Sequence, residues 1–172
     1  MEDTPLTVGS PVPTLPEGRF SGPVEFADLV RRSLAAAAAA GWREIIISDA
    51  NFSDWPLGER VVSQALNDWA QSGRKMTMLA ANYDEVIRRH ARFATWRRTW
   101  AHIVDCRRNG ALSADDFPSA FWTPVWVFQR LDLARSTGVA GFEAARRVAL
   151  RERIDECLRR SSPGFPPTTL GI

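Results

Sequence analysis

Glu44-Ile-Ile-Ile-Ser-Asp49 and Lys75-Met-Thr-Met-Leu79 decide the fold. Three successive β-branched residues, Ile45, Ile46 and Ile47, fit a strand covered on both faces, because alternate side chains point to opposite sides. Residues 75–79 form a second apolar run. Between the two, Leu57, Val61, Val62, Ala65, Leu66 and Trp69 recur at helical spacing and predict a helix over 56–72, ended by Gly73. Strand, helix, strand is a βαβ unit, so the two strands are expected to be parallel.

On the N-terminal side, Val24, Phe26, Ala27, Leu29, Val30 and Leu34 predict a helix starting at about Ser21. Ser21 can cap it, Pro23 suits the first turn, Glu25 favours the positive end, and Gly41 is placed to stop it. Pro5, Pro11, Pro13 and Pro16, with Gly9 and Gly18, make residues 1–20 an extended leader.

On the C-terminal side, a third helix is expected over 83–93, with room to run on to Trp100. Strands follow over 101–106 and 125–131, and a last helix over 141–160 with Arg159 and Arg160 at its negative end. Pro163 halts it, and 161–172 reads as an extended tail. The order predicts an α/β fold: a small, mostly parallel sheet of about four strands flanked by helices, in one domain over 21–160 with extended Pro-rich termini.

A chain of 172 residues is one domain's worth and long enough for a core. No apolar run reaches the roughly 18–20 residues of a membrane span. The acidic start has no apolar stretch of a signal peptide, so a cytoplasmic location and no membrane partner are expected. Cys106 and Cys157 are too few for a disulfide framework and read as free thiols. A net charge of +2 is too balanced to imply nucleic acid by composition alone. Lys75 is the only lysine among 22 basic residues. Genome base composition explains that bias first, and bidentate anion binding second.

The loop Asp49-Ala-Asn-Phe-Ser-Asp-Trp55 lies beyond the first strand's carboxyl end, where open α/β sheets bind ligands. Asp49, Asn51 and Asp54 are candidate acid–base groups there. Against this, Asp54 before Pro56 suits a helix N-cap and Asn51 suits a turn. Three oxygens from one loop hold no metal convincingly, so none is expected.

The segment His90-Ala-Arg-Phe-Ala-Thr-Trp-Arg-Arg-Thr-Trp-Ala-His102 interleaves arginine and aromatic residues, a pattern that pairs phosphates and stacks bases. Arg92, Arg97, Arg98, Trp96 and Trp100 are its anion-binding candidates. The plainer reading places Phe93, Trp96 and Trp100 in the core and the arginines on a solvated rim. On the expected strand, His102 and Cys106 share a face but stand about 13 Å apart, too far for a catalytic pair. No nucleophile elbow, phosphate loop, dinucleotide fingerprint or zinc pattern occurs, so no cofactor is expected.

The element order resembles one half of the phospholipase D-like family. There a strand, a helix and a second strand, here over 45–49, 56–72 and 76–79, precede a His-x-Lys motif with an Asp further on. His90-Ala-Arg92 is the nearest match, and Arg97 stands where the Asp would be. His102-Ile-Val104 matches no better. The resemblance covers 43–131 and implies a related fold with lost activity and no catalytic role to carry over.

Three functions follow. The first is a non-catalytic α/β module for protein–protein interaction or self-assembly, with a protein partner or a second copy. Seven tryptophans, two Pro-rich ends and the lack of a coherent catalytic set motivate it; Phe121, Trp122 and Trp126 beside Pro118 and Pro124 form a candidate aromatic patch, with core burial the commoner fate of such rings. The second is recognition of phosphate esters or nucleic acid by residues 88–102. The third is a hydrolase using Asp49 and Asp54 with His90 or His102 as general base.

Overall fold

A computed structural model describes residues 14–167. The first part of the expected leader and the end of the expected tail lie outside the described residues. Thirteen elements follow in order: β1 (Gly18–Phe20), α1 (Pro23–Ala40), β2 (Glu44–Ser48), α2 (Arg60–Trp69), β3 (Lys75–Ala80), α3 (Asp84–Arg89), α4 (Ala91–Thr99), β4 (Val104–Arg108), β5 (Ser119–Trp122), β6 (Val127–Asp132), β7 (Thr137–Gly141), α5 (Ala144–Arg159) and β8 (Ser162–Pro163).

The strands form one eight-stranded sheet in the order β1-β7-β6-β5-β2-β3-β4-β8. Only β2–β3 and β3–β4 are parallel, and every other neighbouring pair is antiparallel. This overturns the expected small, mostly parallel sheet of about four strands. The parallel centre is the βαβ unit read from residues 44–79. In the antiparallel half, where β5, β6 and β7 follow one another with no helix between them, β6 falls on the strand expected over 125–131, and β5 and β7 were missed. β5 has only four residues, and β7, Thr-Gly-Val-Ala-Gly, carries little of the bulky β-branched signal that marks β2. At the termini, β1 falls within the expected leader and β8 within the expected tail.

Both faces are covered. Ile45 and Ile47 of β2 join α1, α2, α3 and α4 in the larger core, with Met76 and Met78 of β3, Phe121 of β5 and Phe128 of β6. Ile46 points the other way, into a smaller core with Leu79, Trp122, Val127 and the α5 residues Leu150, Ile154 and Cys157. Three consecutive isoleucines are therefore all buried, which a sheet with one wet face would not allow.

Helix boundaries moved where packing outweighed periodicity. Gly41 ends α1 at φ 68°, donating its N–H to Ala37, as expected of a left-handed cap. At the other end of α1, Val24 is 82% exposed, off the apolar face assigned to it, and Gly22 rather than Ser21 is the N-cap. Residues 50–59, partly assigned to a helix, form a folded loop whose Phe52, Trp55 and Leu57 are buried. The expected helix over 83–93 is two helices broken at His90. His102 precedes β4 rather than lying in it.

Among the described residues, no helix is long and apolar enough to cross a membrane.

Candidate functional site

The loop after β2 is organised around an arginine that sequence reasoning passed over. Arg130, on β6, is buried, and its Nη2 donates to Asp49 Oδ1 at 2.9 Å. The same guanidinium grips Asp54 with two bonds, 2.5 Å from Nη1 to Oδ2 and 3.1 Å from Nη2 to Oδ1. Its Nε donates to Ser119 Oγ at 3.1 Å, and its carbon sits 4.1 Å from the centre of the Phe26 ring. The other oxygen of Asp49 accepts the backbone N–H groups of Asn51 at 3.2 Å and Phe52 at 2.8 Å. These bonds hold Phe52 in the left-handed region, at φ 57°.

Asp49 and Asp54 therefore do come together, but on one buried cation that pairs with both. Asp54 does not cap a helix, since α2 begins only at Arg60. Asn51 stays in the loop, accepting the Ser53 N–H at 3.0 Å in an Asx turn.

His90 is buried, and its Nε2 lies 2.8 Å from the Phe52 carbonyl oxygen, so that nitrogen carries the proton. Its backbone leaves helical geometry there, at φ −119° and ψ 57°, which breaks α3 from α4. His90 and Asp49 thus grip the two sides of one residue, Phe52. His102 is exposed and lies elsewhere, its ring 5.6 Å from that of Trp100.

The arginines of α4 divide. Arg97 is buried, donating to the carbonyls of Val104 at 3.1 Å and Phe165 at 3.2 Å. Trp96 is 3% exposed, so its ring offers no stacking face, and Trp100 is half-buried. Arg92 and Arg98 remain exposed. Of the two readings of Phe121, Trp122 and Trp126, a surface patch or core, the core holds: all three rings are buried. Cys106 is buried too, and loss of solvation pushes its thiol up to about 12, so it stays protonated and inert near neutral pH.

Helices α2 and α4 pack side by side and leave a groove of about 520 Å³ between them. They start together, because Arg92 Nη1 donates to the Gly58 carbonyl, just ahead of α2, at 2.8 Å. Arg60 and Arg92, each in the first turn of its helix, therefore stand at the same end. Ser63 and Asn67 from α2, with Thr95 and Thr99 from α4, continue the walls with uncharged hydrogen-bonding groups. Among the described residues, no carboxylate lines the groove and neither arginine has an ion-pair partner. Nearby acids are engaged: Arg31 holds Glu59 at 2.6 Å, its hydrogen bond lowering that carboxyl's pKa, and Arg89 holds Glu85 at 2.6 Å. Sequence reasoning found Arg92 but not Arg60, which lies in a segment of α2 read only for its apolar stripe.

Among the described residues, no group of three or more His, Cys, Asp and Glu side chains is placed to hold a metal.

No family model and no curated protein matches the chain. A solved structure is similar in fold: that of TrmBL2, an archaeal chromatin protein with a novel mode of DNA binding. The TM-score is 0.62 at 15% identity, over 91% of this chain and 56% of that one. This chain therefore spans little more than half the length of that protein.

Proposed function

We propose that this chain is a non-catalytic α/β module that binds phosphate esters, nucleic acid above all, through the groove between α2 and α4. The observation that carries the reading is the groove's lining: Arg60 and Arg92 at one end and, among the described residues, no carboxylate along it. Arginine presents a planar fork of donors that matches phosphate oxygens. The candidate acid–base groups support the non-catalytic half of the reading. Asp49 and Asp54 are spent on Arg130, and His90 is buried, which closes its unprotonated Nδ1 off from a substrate. A general base needs a free lone pair within reach of a substrate proton.

The fold is compatible with work on DNA, since TrmBL2, built on a similar scaffold, binds it. Part of that chain has no counterpart here, so the arginines of this chain bear the argument. The protein-interaction reading loses its candidate aromatic patch.

Fluorescence anisotropy with labelled oligonucleotides across a salt series tests this. Affinity is expected to fall as salt rises, and each of Arg60→Ala and Arg92→Ala to lower the logarithmic slope by about 1. Binding that ignores both salt and the double substitution would sink the proposal.

A further inference from the structure

The shape and chemistry of the α2–α4 groove restrict what can occupy it. From Arg60 to Asn67 is seven residues along a helix, roughly 10 Å at the usual rise. A turn of duplex is about 34 Å long, and its sequence is read by an element inserted into a groove roughly 12 Å wide. Here α2 and α4 pack against each other, so the candidate site is the space between two helices rather than one helix to insert. The feature is a hollow of about 520 Å³, in the range of small-ligand sites.

Its polarity is graded. Both arginines stand at one end, and Asn67 and Thr99 mark the other. Hydroxyl and amide side chains donate and accept, which suits sugar hydroxyls and base edges rather than a second phosphate. Gln64, on the rim, already gives its Nε2 to Asp68 at 3.0 Å, so its carbonyl oxygen is the part left to accept. Trp96 backs the groove, 3% exposed, with an indole N–H that has no partner.

Resting on the phosphate-ester reading above, we propose that the groove holds one nucleotide unit. Its phosphate lies between Arg60 and Arg92, and its sugar and base run towards Asn67 and Thr99. The unit belongs to a free nucleotide or to a single strand. Duplex is excluded, because its paired bases cannot enter the hollow.

The test compares a nucleoside 5′-monophosphate, a single-stranded oligonucleotide and the same sequence as duplex, by isothermal titration with the whole chain. Single strand is expected to bind at least about tenfold tighter than duplex. Arg60→Ala with Arg92→Ala should weaken it at least about tenfold, with a salt slope lower by about 2. Asn67→Leu, on the exposed surface, should weaken binding while leaving that slope unchanged, since it removes a neutral contact. The monophosphate separates the sources: affinity close to the single strand's points to a free nucleotide, and much weaker affinity points to a strand, each consistent with the groove. Duplex binding as tight as single strand, with the same arginine dependence, overturns this inference and leaves the broader reading intact. Binding of none of the three overturns both. Unchanged melting temperatures for the variants confirm that a loss is not unfolding.

Discussion

Arg130 Nη2 and Asp49 Oδ1 lie 2.9 Å apart between β6 and the end of β2, with side chains 2% and 5% exposed. The pair bridges the antiparallel half of the sheet to its parallel centre, across the intervening β5. Asp49→Ala leaves a buried guanidinium short of its partner, and breaking a buried pair costs about 3–5 kcal/mol. Asp54→Ala should cost less, because the Asp54 side chain is 49% exposed and water screens its charge. Urea unfolding monitored by tryptophan fluorescence would rank the two. Equal losses would mean that burial does not set the strength of this network.

The two histidines should part company. His90→Ala strands the buried Phe52 carbonyl and frees the loop it pins, for an expected loss of about 1–3 kcal/mol. His102 is exposed, and His102→Ala should stay within about 0.5 kcal/mol of the parent. The same denaturation curves give both values, and a loss at His102 comparable to that at His90 would contradict the assignment.

Neighbouring arginines on α4 should behave differently as well. Arg97→Ala removes two donors to buried carbonyls and is expected to lower stability by about 2 kcal/mol or more. Arg98→Ala is expected to be nearly neutral for folding. Thermal melts of the two variants decide it. A cluster of arginines tested only as a triple substitution would confuse unfolding with loss of a binding face.

Gly138 is where β1 closes onto β7. A Cβ built there meets the Gln129 carbonyl oxygen, and lies 2.6 Å from the Phe20 ring and 2.8 Å from Arg130 Cα. Gly138→Ala must push backbone apart, so a loss of about 1–3 kcal/mol or more is expected. Because Gly138 pairs with both Phe20 and Arg130, hydrogen exchange should show β1 and the end of β6 opening together. Protection unchanged in both strands would argue against this close approach.

Burial raises the Cys106 thiol from its ordinary 9.0 to about 12 in the folded chain. Its folded value exceeds its unfolded one, so the associated stability is present below about pH 9 and is lost as pH rises towards about 12. Burial also raises the Cys157 thiol. A chromogenic disulfide reagent at pH 8 should therefore react slowly with the native protein and rapidly with both thiols after denaturation. Fast reaction of both thiols in the native state would refute their burial.

Some local features were readable because short-range chemistry dictates them. Ile45-Ile-Ile47 reads as a doubly covered strand, and Gly41 as a left-handed helix stop, with no knowledge of partners. The Leu66 and Trp69 stripe is a helix for the same reason. Phe121, Trp122 and Trp126 left two readings open, with burial the commoner, because an aromatic run looks alike whether it faces a partner or the interior. Only the strands paired around β5 make it core.

Sequence alone determined the parallel centre, since a helix between two apolar strands forces a crossover and thereby the strand direction. Tertiary structure decided the antiparallel half, the use of Asp49 and Asp54, and the groove of Arg60 and Arg92. Each of these depends on side chains far apart in the chain, such as Asp49 and Arg130, or Gly58 and Arg92. No local period or propensity encodes such meetings, because they arise only when the sheet order brings those segments within hydrogen-bonding distance.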